Sequence, residues 1–422
     1  MGAMARESKL QEDAGPSLQR IEPLPLKSDL LRTADADSVV RNFSIVVGGP
    51  VYDFLKRSGL VQVALPNVLR RIGALVVITW LPLLVLSLKD NLAFGHNVTI
   101  PLLYDFSTYS RLLLALPLLL LAEVVIDPAI LAAIAEFVDA GLVQENEFPE
   151  FERVLQRVRA VRDSPIPELV LLGLAFFPTF LFQHEWAPGT VSSWHTTARG
   201  LTTSGWWYIV ISAPMLRFFI YRWLFRYFIW GLLLWKLGKL DLHLIPTHPD
   251  RAAGLGFLNL TQAFFGILFC ALGFAFTGPI VNAIVYERAP LASFQFLMMG
   301  FLALSLILGL LPLTLLFPKL ARIRMIGLWK YGKLATQYTE AFERKWVRAT
   351  EQPSEPLLGT SDIQSLADLG NSYALVRDMS FMPITKMLVI QLAAQASLPL
   401  IPVVLIGTPA GELVHAILKM VI

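Results

Sequence analysis

Residues 110–128 read SRLLLALPLLLLAEVVIDP. Between Arg111 and Glu123 no side chain carries a charge, and leucine supplies most positions. An apolar run of about 18 residues or more is what a helix needs to cross the ~30 Å hydrocarbon core of a bilayer. A helix is also one of the few structures that satisfies its own backbone there. Glu123 and Asp127 stand one turn apart inside that length, where lipid penalises a charge.

Outward from this stretch, comparable runs occupy 71–89, 166–183, Gly205 to about Leu237, 257–284, 293–317 and 386–407. They predict an all-α fold, a polytopic membrane bundle of about seven transmembrane helices above a cytoplasmic helical layer. Composition agrees: 55% of the 422 residues are hydrophobic and 16% charged. A soluble domain carries about 25% charged residues. The net charge of +3 and the lack of a dense basic run give no case for nucleic acid. Cys270 is the single cysteine, so no intrachain disulfide or multi-cysteine metal site is available.

Residues 1–38 are polar and read as a disordered cytoplasmic tail without a secretory signal. MGAMAR has Arg6 where a myristoylation pattern wants Ser or Thr. Residues 39–66, broken at Gly48, Gly49 and Pro50, read as an interfacial amphipathic segment, on the membrane surface or tucked under the bundle. The six-helix transmembrane region is then 67–320, and 321–385 is a cytoplasmic extension. Residues 386–422 hold the seventh helix and a C-terminal segment, GELVHAILKMVI, whose entry into the membrane is open.

Arg and Lys cluster on alternate loops: Arg70 and Arg71, Arg153 to Arg162, Lys236 to Arg251, and Lys319 to Arg348. By the positive-inside rule these face the cytoplasm, which sets the N-terminus inside and the C-terminus outside. Trp186, Trp194, Trp206 and Trp207 fit an outer interfacial belt. The helix from Gly205 to Leu237 would be roughly 50 Å long at 1.5 Å per residue, so its apolar inner end must leave the membrane. The sixth helix is expected to run on through Pro312 and Pro318 into an amphipathic pattern. These extensions are expected to pack on each other, on 129–163 and on 361–380.

Three constellations could carry chemistry. Glu123 and Asp127 face, at matched depths, Arg217 and Arg222 of the fourth helix, if the two helices run parallel from Ser110 and Gly205. That predicts Glu123–Arg217 and Asp127–Arg222 rungs, serving an ion or proton path or an anchor for a charged substrate, or else a structural clamp with Arg222 and Arg226 reaching to the inner interface. The loop LDLHLIPTHPDRAAGLGF brings together His243, His248, Asp250 and Arg251. One H-x4-H spacing without a second histidine box does not make a desaturase, and HExxH is absent. Asp250 can cap the following helix, or the loop can hold a metal or phosphate. Gln391 and Gln395, at i and i+4, share a helix face and line a pore or bond between helices, as Asn259, Gln262 and Asn282 do. Met298 and Met299 read as packing. Neither a nucleotide-binding loop nor a nucleophile elbow is present, and no cofactor is indicated.

The stretches NFSIVVGGPVYDFLKRSGL, ITWLPLLVLS, RLLLALPLLLLAEVVID and HPDRAAGLGFL resemble a family of bacterial polytopic membrane proteins to which no activity is assigned. The resemblance implies a bacterial inner membrane and carries no functional residues. The expected partners are the lipid bilayer, a second copy of the chain, and a protein at the cytoplasmic layer. Transport or channel function is favoured, ahead of a scaffold or signalling subunit and a membrane enzyme.

Overall fold

The structure, a computed structural model, describes residues 43–48, 65–94, 97–181, 192–197, 200–348, 356 and 360–408. Among these the fold is all-α, with one small antiparallel hairpin pairing Thr196–Thr197 (β1) with Gly200–Leu201 (β2). Five helices are long and apolar enough to cross a membrane: α1 (Asn67–Lys89), α2 (Phe106–Asp139), α5 (Thr203–Leu237), α6 (Leu258–Tyr286) and α7 (Leu291–Thr314). Between α2 and α5 lie α3 (Phe148–Asp163) and α4 (Pro165–Leu181). After α7 come α8 (Phe317–Phe342), α9 (Ser361–Arg377), α10 (Lys386–Ser397) and α11 (Leu400–Gly407).

The expected count of about seven spans is reached only in part. α10 and α11 together are long enough for a sixth span, but they meet at 54° beside Pro399. α4 is described for 17 residues, about 26 Å of helix, and 182–191 lie outside the described residues. The closing segment GELVHAILKMVI and the tail 1–38 also lie outside them.

α6 is the most buried of the five long helices, at 61% of its apolar window, whereas α1 and α7 are 17% and 22% buried. α2, α5 and α6 therefore form the centre, and α1, α4 and α7 present apolar side chains outward. Leu169, Val170 and Phe177 of α4, and Met299, Leu304 and Ile307 of α7, are exposed. Such broad apolar surface suits lipid and not water. These helices are those of an integral membrane protein.

Polar side chains stitch the centre. Gln262 of α6 accepts from the Trp230 indole at 3.0 Å and donates to the Tyr227 hydroxyl at 2.8 Å and the Gly309 carbonyl at 2.6 Å. It is 0% exposed, so this knot binds α5, α6 and α7 in a place where an unpaired amide would be costly. Asn282, at the far end of α6, donates to Asp105 at 2.6 Å. Gly278 allows α6 this close approach: a Cβ there would lie 2.8 Å from Ser107 Cα and overlap the Ser110 hydroxyl. Asn259 at the near end accepts from Thr385 N at 3.0 Å. Asn259, Gln262 and Asn282 thus all bond between elements.

The overlong α5 solves its apolar end by burying it. Ile229, Trp230, Leu233, Leu234 and Leu237 are all 0% exposed, and α3 and α4 pack along α5. The continuous helix expected through Pro312 and Pro318 is instead two. α7 tightens through Leu315 N to Pro312 O at 3.3 Å and Leu316 N to Leu313 O at 3.2 Å. α8 then starts with Pro318 in its first turn, where the missing N–H costs nothing. α8 and α9 pack as a hairpin, joined to the bundle by Ser380 N to Arg251 O at 2.7 Å and by Lys319 Nζ to Leu240 O at 2.7 Å.

Candidate functional site

Six ionisable side chains are buried together towards the end of the bundle that carries the basic loops. Glu123, Glu168, Asp127, Arg71, Arg222 and Arg226 are each 2–9% exposed. Three are acids and three are arginines, so the formal charge cancels. Glu123 lies at the centre: one carboxylate oxygen accepts from Arg226 at 2.8 Å and the other from Arg71 at 2.7 Å. Arg222 faces Glu168 of α4 at 3.5 Å. The Arg226 guanidinium also lies 5.0 Å from the Trp223 ring centroid and donates to the Val46 carbonyl at 3.2 Å.

The two expected rungs do not form. Arg217 lies away from Glu123, donating to the Ala175 carbonyl at 3.3 Å and the Thr179 hydroxyl at 3.0 Å on α4. Asp127 does not pair with Arg222; its partners are Ser44, Ile45 and Val46. Arg226 does not reach to an interface but closes on Glu123. The parallel course of α2 and α5 is as expected; their register is not. The Trp223 indole donates to the Leu119 carbonyl at 2.6 Å, which sets Arg226, and not Arg217, opposite Glu123. Counting from Ser110 and Gly205 placed Arg217 there, nine residues or about 14 Å of helix short of Arg226.

Residues 43–48 enter this cluster as irregular chain. Phe43, Ser44, Ile45 and Val46 are buried. Ser44 donates its hydroxyl to both Asp127 oxygens at 2.8 and 2.7 Å, and Ile45 N donates to Asp127 at 2.9 Å. Arg162 of α3 donates to the Ser44 carbonyl, and Arg159 stands 5.5 Å over the Phe43 ring. Of the two places expected for this segment, residues 43–48 take the one inside the protein; 49–64 lie outside the described residues. Arg71 and Glu168 were invisible as site residues because each sits at a helix end, where a charge is ordinarily solvated.

The 243–251 loop is occupied by its own bonds. Asp250 accepts from Ala252 N at 2.8 Å, Gly254 N at 3.1 Å, Gly256 N at 2.8 Å and the His248 ring at 2.8 Å. Burial alone would raise the Asp250 pKa; these donors overcome that and hold the carboxyl below its ordinary range. The carboxylate folds the loop and does not cap α6, which starts at Leu258. Arg251 and Ala253 sit at φ 56° and 57°, a conformation the Asp250 bonds stabilise. His243 points elsewhere, to Gln144 at 3.0 Å. No group of three metal-ligating side chains occurs among the described residues. Gln391 and Gln395 are half-buried on α10, and Gln395 lies against Gly266 of α6.

Compared with protein-family models, with curated proteins and with solved structures, the chain matches none.

Proposed function

We propose that this chain is a small-solute transporter or ion channel of the bacterial inner membrane. Its basic end lies in the cytoplasm, and residues 43–48 close the pathway at that end. The observation that supports this is the Glu123 cluster with its inserted segment. Six buried ionisable groups are an expensive way to hold helices together, since apolar residues of similar volume often do so better. Irregular backbone at membrane depth is tolerated where it is buried in protein or lines a cavity. A segment held by hydrogen bonds and charge, with little helix of its own, can leave and return without unfolding the bundle.

The test is flux through vesicles holding the purified full-length chain, read with potential- and pH-sensitive dyes across K⁺, Cl⁻ and H⁺ gradients. Flux above empty vesicles, altered when Glu123→Gln or Arg226→Gln loosens the latch, is the expected outcome. Vesicles as silent as lipid alone across all three gradients would sink the proposal.

One observation favours a scaffold as the second reading. α8 leaves Met325 59%, Trp329 76% and Leu334 50% exposed along its length. A protein partner there, with flux-silent vesicles, would make the layer of α8 and α9 the working surface.

A further inference from the structure

At the end opposite the charge cluster, a cavity of about 380 Å³ is lined by Asp105, Arg111, His195, Tyr208, Arg217 and Asn282. A larger groove of about 620 Å³ between α1 and α5 is lined by side chains such as Leu81, Val85 and Trp206, and offers a charge almost nothing. The smaller cavity differs in its charged and polar lining and in the prolines beside it. Pro178 of α4 and Pro279 of α6 form part of its wall. Arg111 and Tyr208 stand on the π-helical turns of α2 and α5. Each turn is followed by a proline, Pro117 or Pro214, near the start of the next α-helical stretch. A proline lacks the N–H for the regular bond and crowds the carbonyl one turn back, so the wide turn relieves it. Wide turns of this kind are frequent at functional sites.

The arginines here are unlike those of the charge cluster. Arg111 donates to the Tyr208 hydroxyl at 3.2 Å and, weakly, to the Ala275 carbonyl at 3.4 Å. Arg217 uses one nitrogen, on Ala175 O and Thr179 Oγ1. Neither forms an ion pair with a carboxylate among the described residues. A guanidinium has five donors, so both keep unused ones. Asp105 shares the wall but is fully engaged: it accepts from Ser107 N, Thr108 Oγ1, Trp194 Nε1 and Asn282 Nδ2 at 2.5–2.9 Å. Burial lowers the His195 pKa against the opposing pull of Asp105, so the imidazole is neutral at pH 7. The interior wall therefore carries two cations against one saturated anion, with Glu287 at the exposed rim.

We propose that this cavity binds a small oxyanion, a carboxylate or a phosphate headgroup, between Arg111 and Arg217. Planar guanidinium forks suit the two oxygens of such a group. The Tyr208 hydroxyl braces Arg111, and Asn282 and His195 border the space beside it. The site stands whether or not the chain supports flux, because its test reads binding alone.

The experiment uses the full-length chain in nanodiscs of phosphatidylcholine, titrated with sodium acetate against sodium chloride at constant ionic strength, by calorimetry. Saturable acetate binding, weakened tenfold or more by Arg217→Gln and several-fold by Tyr208→Phe, is expected if the anion comes from solution. Nanodiscs with phosphatidylglycerol form the second arm. Lipid retained by the wild type in native mass spectrometry, and lost in Arg217→Gln, supports the site with a headgroup as ligand. Arg217→Lys, which keeps the charge but not the fork, replaces the glutamine variant if that one does not fold, and should also bind weakly. The proposal is overturned if the wild type takes neither acetate nor phosphatidylglycerol. It is equally overturned if folded Arg217 variants bind both as the wild type does.

Discussion

The indole N–H of Trp223 meets the carbonyl of Leu119 at 2.6 Å, and this one bond sets which charges face each other across α2 and α5. Trp223 is 0% exposed, so neither partner has water to turn to. One turn on, Arg226 meets Glu123. Arg217 is nine residues earlier, about 14 Å back along the helix at 1.5 Å per residue, and belongs to the other end of the bundle.

Removing one member of the Glu123 cluster should therefore cost more than removing Arg217. Glu123→Gln leaves Arg71 and Arg226 facing each other without their shared counter-charge, a loss of about 3–5 kcal/mol for a buried pair broken on one side. Arg226→Gln should cost a similar amount. A double-mutant cycle on thermal or denaturant unfolding in detergent should give about 1–3 kcal/mol of coupling between Glu123 and Arg226. Between Glu123 and Arg217 it should give none. Coupling in the second pair but not the first would mean that the register is wrong.

Asp127 should govern whether residues 43–48 stay in place. Its carboxylate receives the Ser44 hydroxyl and two backbone N–H groups, and Val46 is 3% exposed. Asp127→Asn removes the charge from those bonds, and hydrogen bonds to a charged group contribute about 1.5–3 kcal/mol. With Cys270→Ser and Val46→Cys introduced as background, a maleimide should label residue 46 slowly in the parent. Labelling should be tenfold faster or more in Asp127→Asn. Equal rates would show that the segment is held by something else.

Much of this architecture was legible in sequence because apolar length is a direct physical requirement of a bilayer. The runs at 71–89, 110–128, 257–284 and 293–317 all lie on helices of the structure, within a few residues at most ends. The parallel course of α2 and α5 also followed from the alternation of charged loops. Lateral register was not legible. Which residue of α5 faces Glu123 depends on how far the two helices are slid along each other, and on an indole whose partner is a backbone carbonyl. Neither leaves a pattern in composition. Pro117 and Pro214 were the available signal for the wide turns. The insertion of Ser44 beside Asp127, 83 residues apart, had no sequence trace.

The 243–251 loop should behave as structure and respond to acid. Asp250→Ala strips backbone donors of a charged acceptor and should destabilise the chain by about 2–3 kcal/mol. The folded pKa of Asp250 is depressed, so its contribution is fully present above the unfolded value of about 3.9. It fades as pH falls through the lower folded value. The difference in melting temperature between wild type and Asp250→Asn should thus be constant from pH 7 to 5 and shrink below pH 4. Added zinc should move neither. A zinc-dependent rise in the wild type that His248→Ala abolishes would restore the metal reading.

Gln395 should prove to be a packing residue of α10 and not a pore-lining one. Its Oε1 is buried without a hydrogen-bond partner among the described residues. A Cβ built on Gly266 of α6 would overlap that same oxygen. The missing side chain at 266 is thus what makes room for the amide, and the two positions are coupled by volume. Gly266→Ala should cost about 1–3 kcal/mol through overpacking. Gln395→Ala, destabilising by itself through the space it leaves, should recover most of that cost when combined with Gly266→Ala. A residue lining a water-filled path would show the reverse: Gly266→Ala tolerated as Gln395 swings into the open space, and no rescue in the double variant. Unfolding midpoints of the four proteins decide between these, because only a closed contact makes the two substitutions compensate.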